Sequence, residues 1–162
     1  MAKRFLNKNV YDEALSRCRE MYESGNLVVV AFSGGKDSGI CLELCKIAAE
    51  ETGNLPVQAI MRDEEIMFPG TYEYAERVYN DPMVDLDWVY GIQNVTNAFS
   101  RENPLWFTFD PALEPDEWVR TPPKFAEFMP ERYLTKMVNM EKYTPEPGKY
   151  VYNVLGLRAQ ES

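Results

Sequence analysis

Leu27-Val28-Val29-Val30-Ala31-Phe32-Ser33-Gly34-Gly35-Lys36-Asp37-Ser38 is the stretch whose reading decides the fold. Its six leading apolar residues, β-branched at their centre, read as a strand buried on both faces, and the polar start of a helical pattern follows the two glycines. A buried strand, a glycine turn and a helix N-terminus in that order form a phosphate-binding arrangement. Gly34 and Gly35 take backbone angles closed to other residues and present no side chain, so an anion can approach their N–H groups closely. The helix adds unpaired N–H donors and the positive end of its dipole. Lys36 supplies a mobile positive charge, Ser33 and Ser38 offer hydroxyls, and Asp37 can hold Mg²⁺ or orient the loop. The spacing is neither that of a Walker A loop nor that of a GxGxxG dinucleotide fingerprint. The bland alternative is an ordinary strand-to-helix turn that uses glycines to pack tightly.

Outward from this turn the chain alternates strand and helix. Asn9 is placed to cap a helix running through about Glu23, with Val10, Ala14, Leu15, Cys18, Met21 and Tyr22 on one side and Gly25 just past its end. A second helix is expected from about Asp37 to Glu51, with Ile40, Leu44, Ile47 and Ala48 facing inward and Gly53 stopping it. Strands are predicted over Pro56–Arg62, Leu86–Tyr90 and Tyr150–Leu155, and helices over Thr71–Tyr79, near Asn94–Ser100 and near Pro130–Lys142. This order implies one α/β domain over residues 1–162, a three-layer α/β/α sandwich with a mostly parallel, doubly wound sheet. Ligands of such sheets sit at the C-terminal strand edges, near the point where strand order reverses. The Ser33–Ser38 loop, the acidic turn Asp63-Glu64-Glu65 and Arg158 are all expected on that rim. Clustered carboxylates beside a phosphate loop can hold Mg²⁺, and Asp63, directly after its strand, is the first choice. Acidic residues also gather in loops because water solvates them well.

Residues 101–150 differ in character. Eight of the eleven prolines fall there, interleaved with Trp106, Phe107, Phe109, Trp118, Phe125 and Phe128. So many prolines forbid long regular elements, and so many aromatics forbid a solvated linker. An ordered, irregular excursion follows, either a lid on the site or a packed insertion or subunit contact.

Composition removes several function classes. The chain has no histidine, which excludes imidazole acid–base chemistry and His-containing zinc centres. Cys18, Cys41 and Cys45 have neither disulfide-framework nor iron–sulfur spacing; Cys41 and Cys45, four apart in a helix, read as a redox pair or as two small core residues. A net charge of −9 opposes direct nucleic-acid binding. No apolar run reaches the roughly 18 residues of a membrane span, and the start lacks an apolar signal core, so a cytoplasmic protein is expected.

Ser-Gly-Gly-Lys-Asp-Ser after a hydrophobic strand resembles the PP-loop of the adenine nucleotide alpha-hydrolase superfamily, which includes ATP pyrophosphatases and phosphoadenosine phosphosulfate (PAPS) reductases. Gly156-Leu157-Arg158-Ala159-Gln160-Glu161-Ser162 resembles the Gly-x-Arg-x-x-Glu-Ser signature of the PAPS reductase branch. Asp63 to Thr71, with Phe68-Pro69-Gly70-Thr71, is similar to that branch's acidic turn and Phe-Pro-Glu-Thr segment. Asn9-Val10-Tyr11-Asp12-Glu13-Ala14 is similar to the lead-in helix of PAPS reductase-like proteins of phages and mobile elements. The resemblance implies an adenine nucleotide, ATP or PAPS, held by Ser33, Gly34, Gly35, Lys36, Asp37 and Ser38, with Arg158 on a second anionic group. It also implies Lys36 and Asp37 as catalytic, Mg²⁺ at Asp37 and Asp63, and a location in a bacterial or phage-infected cell.

Two chemistries suit such a site. With ATP, donors and metal grip the leaving pyrophosphate while a nucleophile attacks the α phosphorus. With PAPS, a thiolate attacks sulfur, and PAPS reductases carry that thiol in a tail beyond the Gly-x-Arg-x-x-Glu-Ser region. This sequence stops at Ser162, so a piece of a longer protein is expected. Two further readings stay open: a non-catalytic nucleotide-binding or interaction protein with a protein partner or second copy, and sulfur transfer in nucleic-acid modification.

Overall fold

The computed structural model describes residues 7–98, 100–129 and 142–157. Helix α1 (Val10–Glu23) begins at Asn9, whose side chain accepts the Tyr11 N–H at 2.9 Å. Strand β1 (Leu27–Ala31) leads through the glycine turn into α2 (Lys36–Thr52), which ends at Gly53 in the left-handed conformation that glycine adopts freely. Then come β2 (Val57–Arg62), α3 (Thr71–Tyr79), β3 (Val84–Tyr90), β4 (Gln93–Thr96), β5 (Leu105–Thr108), β6 (Glu127–Phe128) and β7 (Val151–Val154).

Five strands form a parallel sheet in the order β6-β3-β2-β1-β7, so the fold is α/β of the three-layer kind expected. Period-two alternation divides its side chains between two cores. Val28, Val30, Val57, Ala59, Met61, Val84, Leu86 and Trp88 meet α1, α2 and α3 on one face. Val29, Ile60, Val89 and Met129 form a smaller core on the other, backed by Leu27, Tyr143 and Val151. The chain steps from β1 outward through β2 and β3, then returns to the far side of β1 as β7. Strand order therefore reverses between β1 and β7.

Two local expectations are corrected. Residues 93–96 form β4, antiparallel to β5, rather than a helix near Asn94–Ser100. Tertiary pairing with residues 105–108 outweighs the weak local pattern. Ile40, expected to face inward, is 58% exposed, while Leu42, Cys45 and Ala49 carry the buried face of α2. Of the two readings of Cys41 and Cys45, the structure bears out the core one: Cys45 is in the core, Cys41 packs against it, and the close sulfur neighbour of Cys45 is Cys18 across the α1–α2 contact. All three cysteines are free, and Cys45 is pushed up by the Cys18 sulfur beside it and by burial, as a core thiol is. The helix expected near Pro130–Lys142 falls on residues outside the described ones. No described helix is long and apolar enough to cross a membrane.

Candidate functional site

The Ser33–Ser38 turn sits at the C-terminal end of β1, where the strand order reverses. Gly34 has φ +71°, and a Cβ there would lie 2.5 Å from Thr71 Cγ2, so both the backbone angle and the neighbour require glycine. Gly35 is the extended N-cap of α2 and supplies no side-chain acceptor. The first-turn N–H groups of α2 consequently have no side-chain cap. Ser38 is buried, and its hydroxyl accepts the Ser33 N–H at 3.1 Å and donates to Gly35 O at 3.0 Å. Its single proton is thereby spent, so Ser33 Oγ, 3.0 Å away, donates to Ser38 Oγ. Ser38 shapes the turn more than it projects from it. Lys36 extends into solvent with its side chain 84% exposed, and its Nζ lies 3.6 Å from the half-exposed Asp37 carboxylate.

β7 closes the other side of the crevice. A Cβ on Gly156 would lie 2.7 Å from the Asp37 carbonyl carbon and 2.8 Å from Ser38 N, so only a residue without a side chain lets this strand end approach the helix start. The Gly-x-Arg resemblance is thus brought against the turn at Gly156. Arg158 itself lies outside the described residues. Between the strand ends opens a cavity of about 310 Å³, lined by Ala31, Phe32 and Ser33 at the end of β1, Ile60, Arg62 and Glu64 at the end of β2, and Asn153, Leu155 and Leu157 at the end of β7. Its walls are mainly apolar, with a few polar groups among them, including the Arg62–Glu64 ion pair at 2.9 Å. An apolar slot beside uncapped helix donors accommodates a ligand with a flat apolar part and an anionic part.

The acidic turn is arranged differently. Asp63 is fully buried. Its Oδ2 accepts Trp88 Nε1–H at 2.9 Å and pairs with the Arg120 guanidinium, and its Oδ1 accepts the Glu65 N–H at 2.9 Å. Tyr72 Oη stands 3.5 Å from the same oxygen and donates to Glu65 O at 2.7 Å. Glu65 is also buried; its carboxylate accepts the backbone N–H groups of Phe109 and, at 2.7 Å, Val119. A cation at Asp63 would have to displace Arg120, so this carboxylate does not fit the metal role. Among the described residues no group of three or more metal-ligating side chains occurs, and Asp37 is the carboxylate beside the glycine turn.

Sequence reasoning missed that the excursion anchors to the acidic turn, Arg120 on Asp63 and the backbone of Phe109 and Val119 on Glu65, across 44 to 57 positions of chain. A buried arginine partner is signalled only by an acidic pair too close to a strand end to be solvated, and even that signal does not say which arginine answers it. The excursion itself is packed down in its described part. Phe125 stacks on Tyr79 at 3.8 Å between centroids, and Phe109 meets both Tyr90 and Trp118 edge-on.

The Escherichia coli (strain K12) protein YbdN, which carries the description uncharacterized, is 28% identical over 165 residues. The match takes in 95% of this chain and 40% of YbdN, so the chain spans about two fifths of that protein's length. No family model and no solved structure matches the chain.

Proposed function

We propose that this chain is an adenine-nucleotide-binding domain of PAPS reductase-like type, acting on ATP or PAPS. The observation that carries the reading is the glycine turn: an uncapped helix N-terminus at the strand-order reversal, opening beside a cavity of base-binding size. In this reading the N–H groups of Gly34 and Gly35 and the start of α2 face phosphate oxygens, Lys36 swings onto them from solvent, and the apolar cavity takes the purine. Asp37 would hold Mg²⁺, which neutralises charge on a leaving pyrophosphate. A cytoplasmic location accords with a nucleotide ligand.

The ATP form asks less of the chain than the PAPS form. Sulfonucleotide reduction needs a thiolate at the sulfate. Cys18 and Cys45 are in the core between α1 and α2, and burial pushes the half-buried Cys41 thiol up as well. A thiol for that chemistry would therefore come from another segment or partner. The reading without catalysis has one observation in its favour: Ile66, Val95 and Leu105 expose apolar surface at β4 and β5, as an interaction face does.

Calorimetric titration of Mg-ATP and of PAPS, with Lys36→Ala as control, tests the proposal. The expected outcome is binding that weakens in Lys36→Ala by at least about tenfold, the size of a charge-assisted phosphate contact. Tighter ATP binding would favour adenylylation, and a PAPS preference would favour sulfonucleotide chemistry. Binding of neither would overturn the nucleotide reading and leave the interaction reading in its place.

A further inference from the structure

The excursion and the glycine turn are separate in sequence, yet only two side chains stand between them. Arg120 pairs with Asp63 and lies over Tyr72, its guanidinium carbon 3.3 Å from the ring centroid. Tyr72 is the second residue of α3, and the first, Thr71, fills with its methyl the space above Gly34. Glu65 clamps the excursion at two further points, through the N–H groups of Phe109 and Val119. Glu65 and Phe109 are the two non-glycine residues at positive φ among the described residues, +58° and +47°. Such angles persist at side-chain-bearing residues only where surrounding structure over-determines them, and here the two strained residues hold each other.

We propose that Arg120 is a positioning residue for the glycine turn. The inference rests on the nucleotide reading for its functional meaning, but its physical content is a coupling within this chain. Arg120 clamps the first turn of α3 to the end of β2 through Tyr72 and Asp63, with Trp88 of β3 bonded to Asp63 and stacked on Tyr72. Thr71 then sets where Gly34 stands, and Gly34 and Gly35 set where an anion is received. Packed interiors answer the loss of such a clamp by shifting between discrete arrangements rather than by yielding evenly. The excursion is in this view neither a lid nor an ornament: it holds the floor under one wall of the site. Lysine cannot replace Arg120 fully, because the planar face over Tyr72 and the fork toward Asp63 belong to guanidinium.

Amide spectra of ¹⁵N-labelled protein test the coupling directly, with inorganic pyrophosphate as the anion probe. Arg120→Gln is expected to move the Gly34 and Gly35 signals and to weaken pyrophosphate binding by about three- to thirty-fold, the range of coupling through packed networks. Lys142→Gln serves as control, since Lys142 pairs with Asp87 and Glu127 on the opposite face of the sheet, and it should move neither. Arg120→Lys should fall between wild type and Arg120→Gln in both readouts, and it carries the test alone if Arg120→Gln does not fold. Unmoved Gly34 and Gly35 signals in a folded Arg120 variant, or shifts as large in Lys142→Gln, would overturn the proposal. Moved signals in a protein whose wild type binds no nucleotide would uphold the coupling while the nucleotide reading fell.

Discussion

The glycine turn after β1 and the acidic turn after β2 start alike and end unlike. Both follow a buried parallel strand, both lie on the C-terminal edge of the sheet, and each contains a left-handed residue, Gly34 in one and Glu65 in the other. The first leaves the start of α2 without a side-chain cap, its Gly35 N–H held only by a long 3.4 Å bond to Ser33 Oγ, and sends Lys36 into solvent. The second spends two of its three carboxylates, Asp63 and Glu65, inward on Trp88, Arg120 and the backbone of residues 65, 109 and 119, and leaves only Glu64 outside, paired with Arg62. Place on the functional edge therefore does not decide whether a polar group is available to a ligand. The number of protein groups competing for it does.

The contrast is broken most forcefully at Asp63. Asp63→Ala should cost about 3–5 kcal/mol, the usual loss when one member of a buried ion pair is removed and the other is stranded. Asp63→Asn, which keeps the shape and one acceptor, should lose less. Urea unfolding measures both, and an Asp63→Ala protein as stable as wild type would show that this carboxylate had been free for a ligand after all.

Gly34→Ala acts on the other turn and should be milder for stability, about 1–3 kcal/mol. The left-handed angle costs a side-chain-bearing residue about 1–2 kcal/mol, and the methyl must also displace Thr71 Cγ2. Removing that methyl in the Gly34→Ala, Thr71→Ala double variant should return the steric part, so the two changes are non-additive. Strict additivity in unfolding midpoints would mean that Thr71 does not limit the turn.

These two turns also show how far the sequence could be read. The strand, glycine turn and helix were legible because each is a local signal: β-branched residues, two glycines, then a helical period closed by Gly53. The same locality made α1, α3 and the three long strands readable to within a few residues. Legibility ended where a residue's role depends on a distant partner. Residues 93–96 become strand because 105–108 lie beside them, and Ile40 turns outward because α1 and the sheet take the faces bearing Leu42, Cys45 and Ala49. Asp63 looked like a metal ligand for the same reason. Its neighbours in sequence are acidic and solvated in character, whereas its neighbours in space are Trp88, Tyr72 and Arg120.

The smallest effect sharpens the comparison from inside the acidic turn. The Tyr72 hydroxyl is pushed up to about 12, chiefly by burial, with the nearby Asp63 charge adding to it. An unfolded tyrosine loses its proton near pH 10. The folded chain holds this proton longer than the unfolded one, so the hydroxyl's contribution to stability is complete below about pH 10 and is lost as pH rises toward about 12. Tyr72→Phe should therefore be less stable than wild type near neutrality by about 1 kcal/mol, because Glu65 O loses its donor. Wild type's advantage should shrink as pH climbs through that window. Other buried groups, such as Tyr22, Tyr143 and Cys45, titrate in both proteins and cancel in the difference. Parallel stability curves across the window would mean that the hydroxyl is not held by the buried turn, and the acidic turn would then be as open to solvent as the glycine turn beside it.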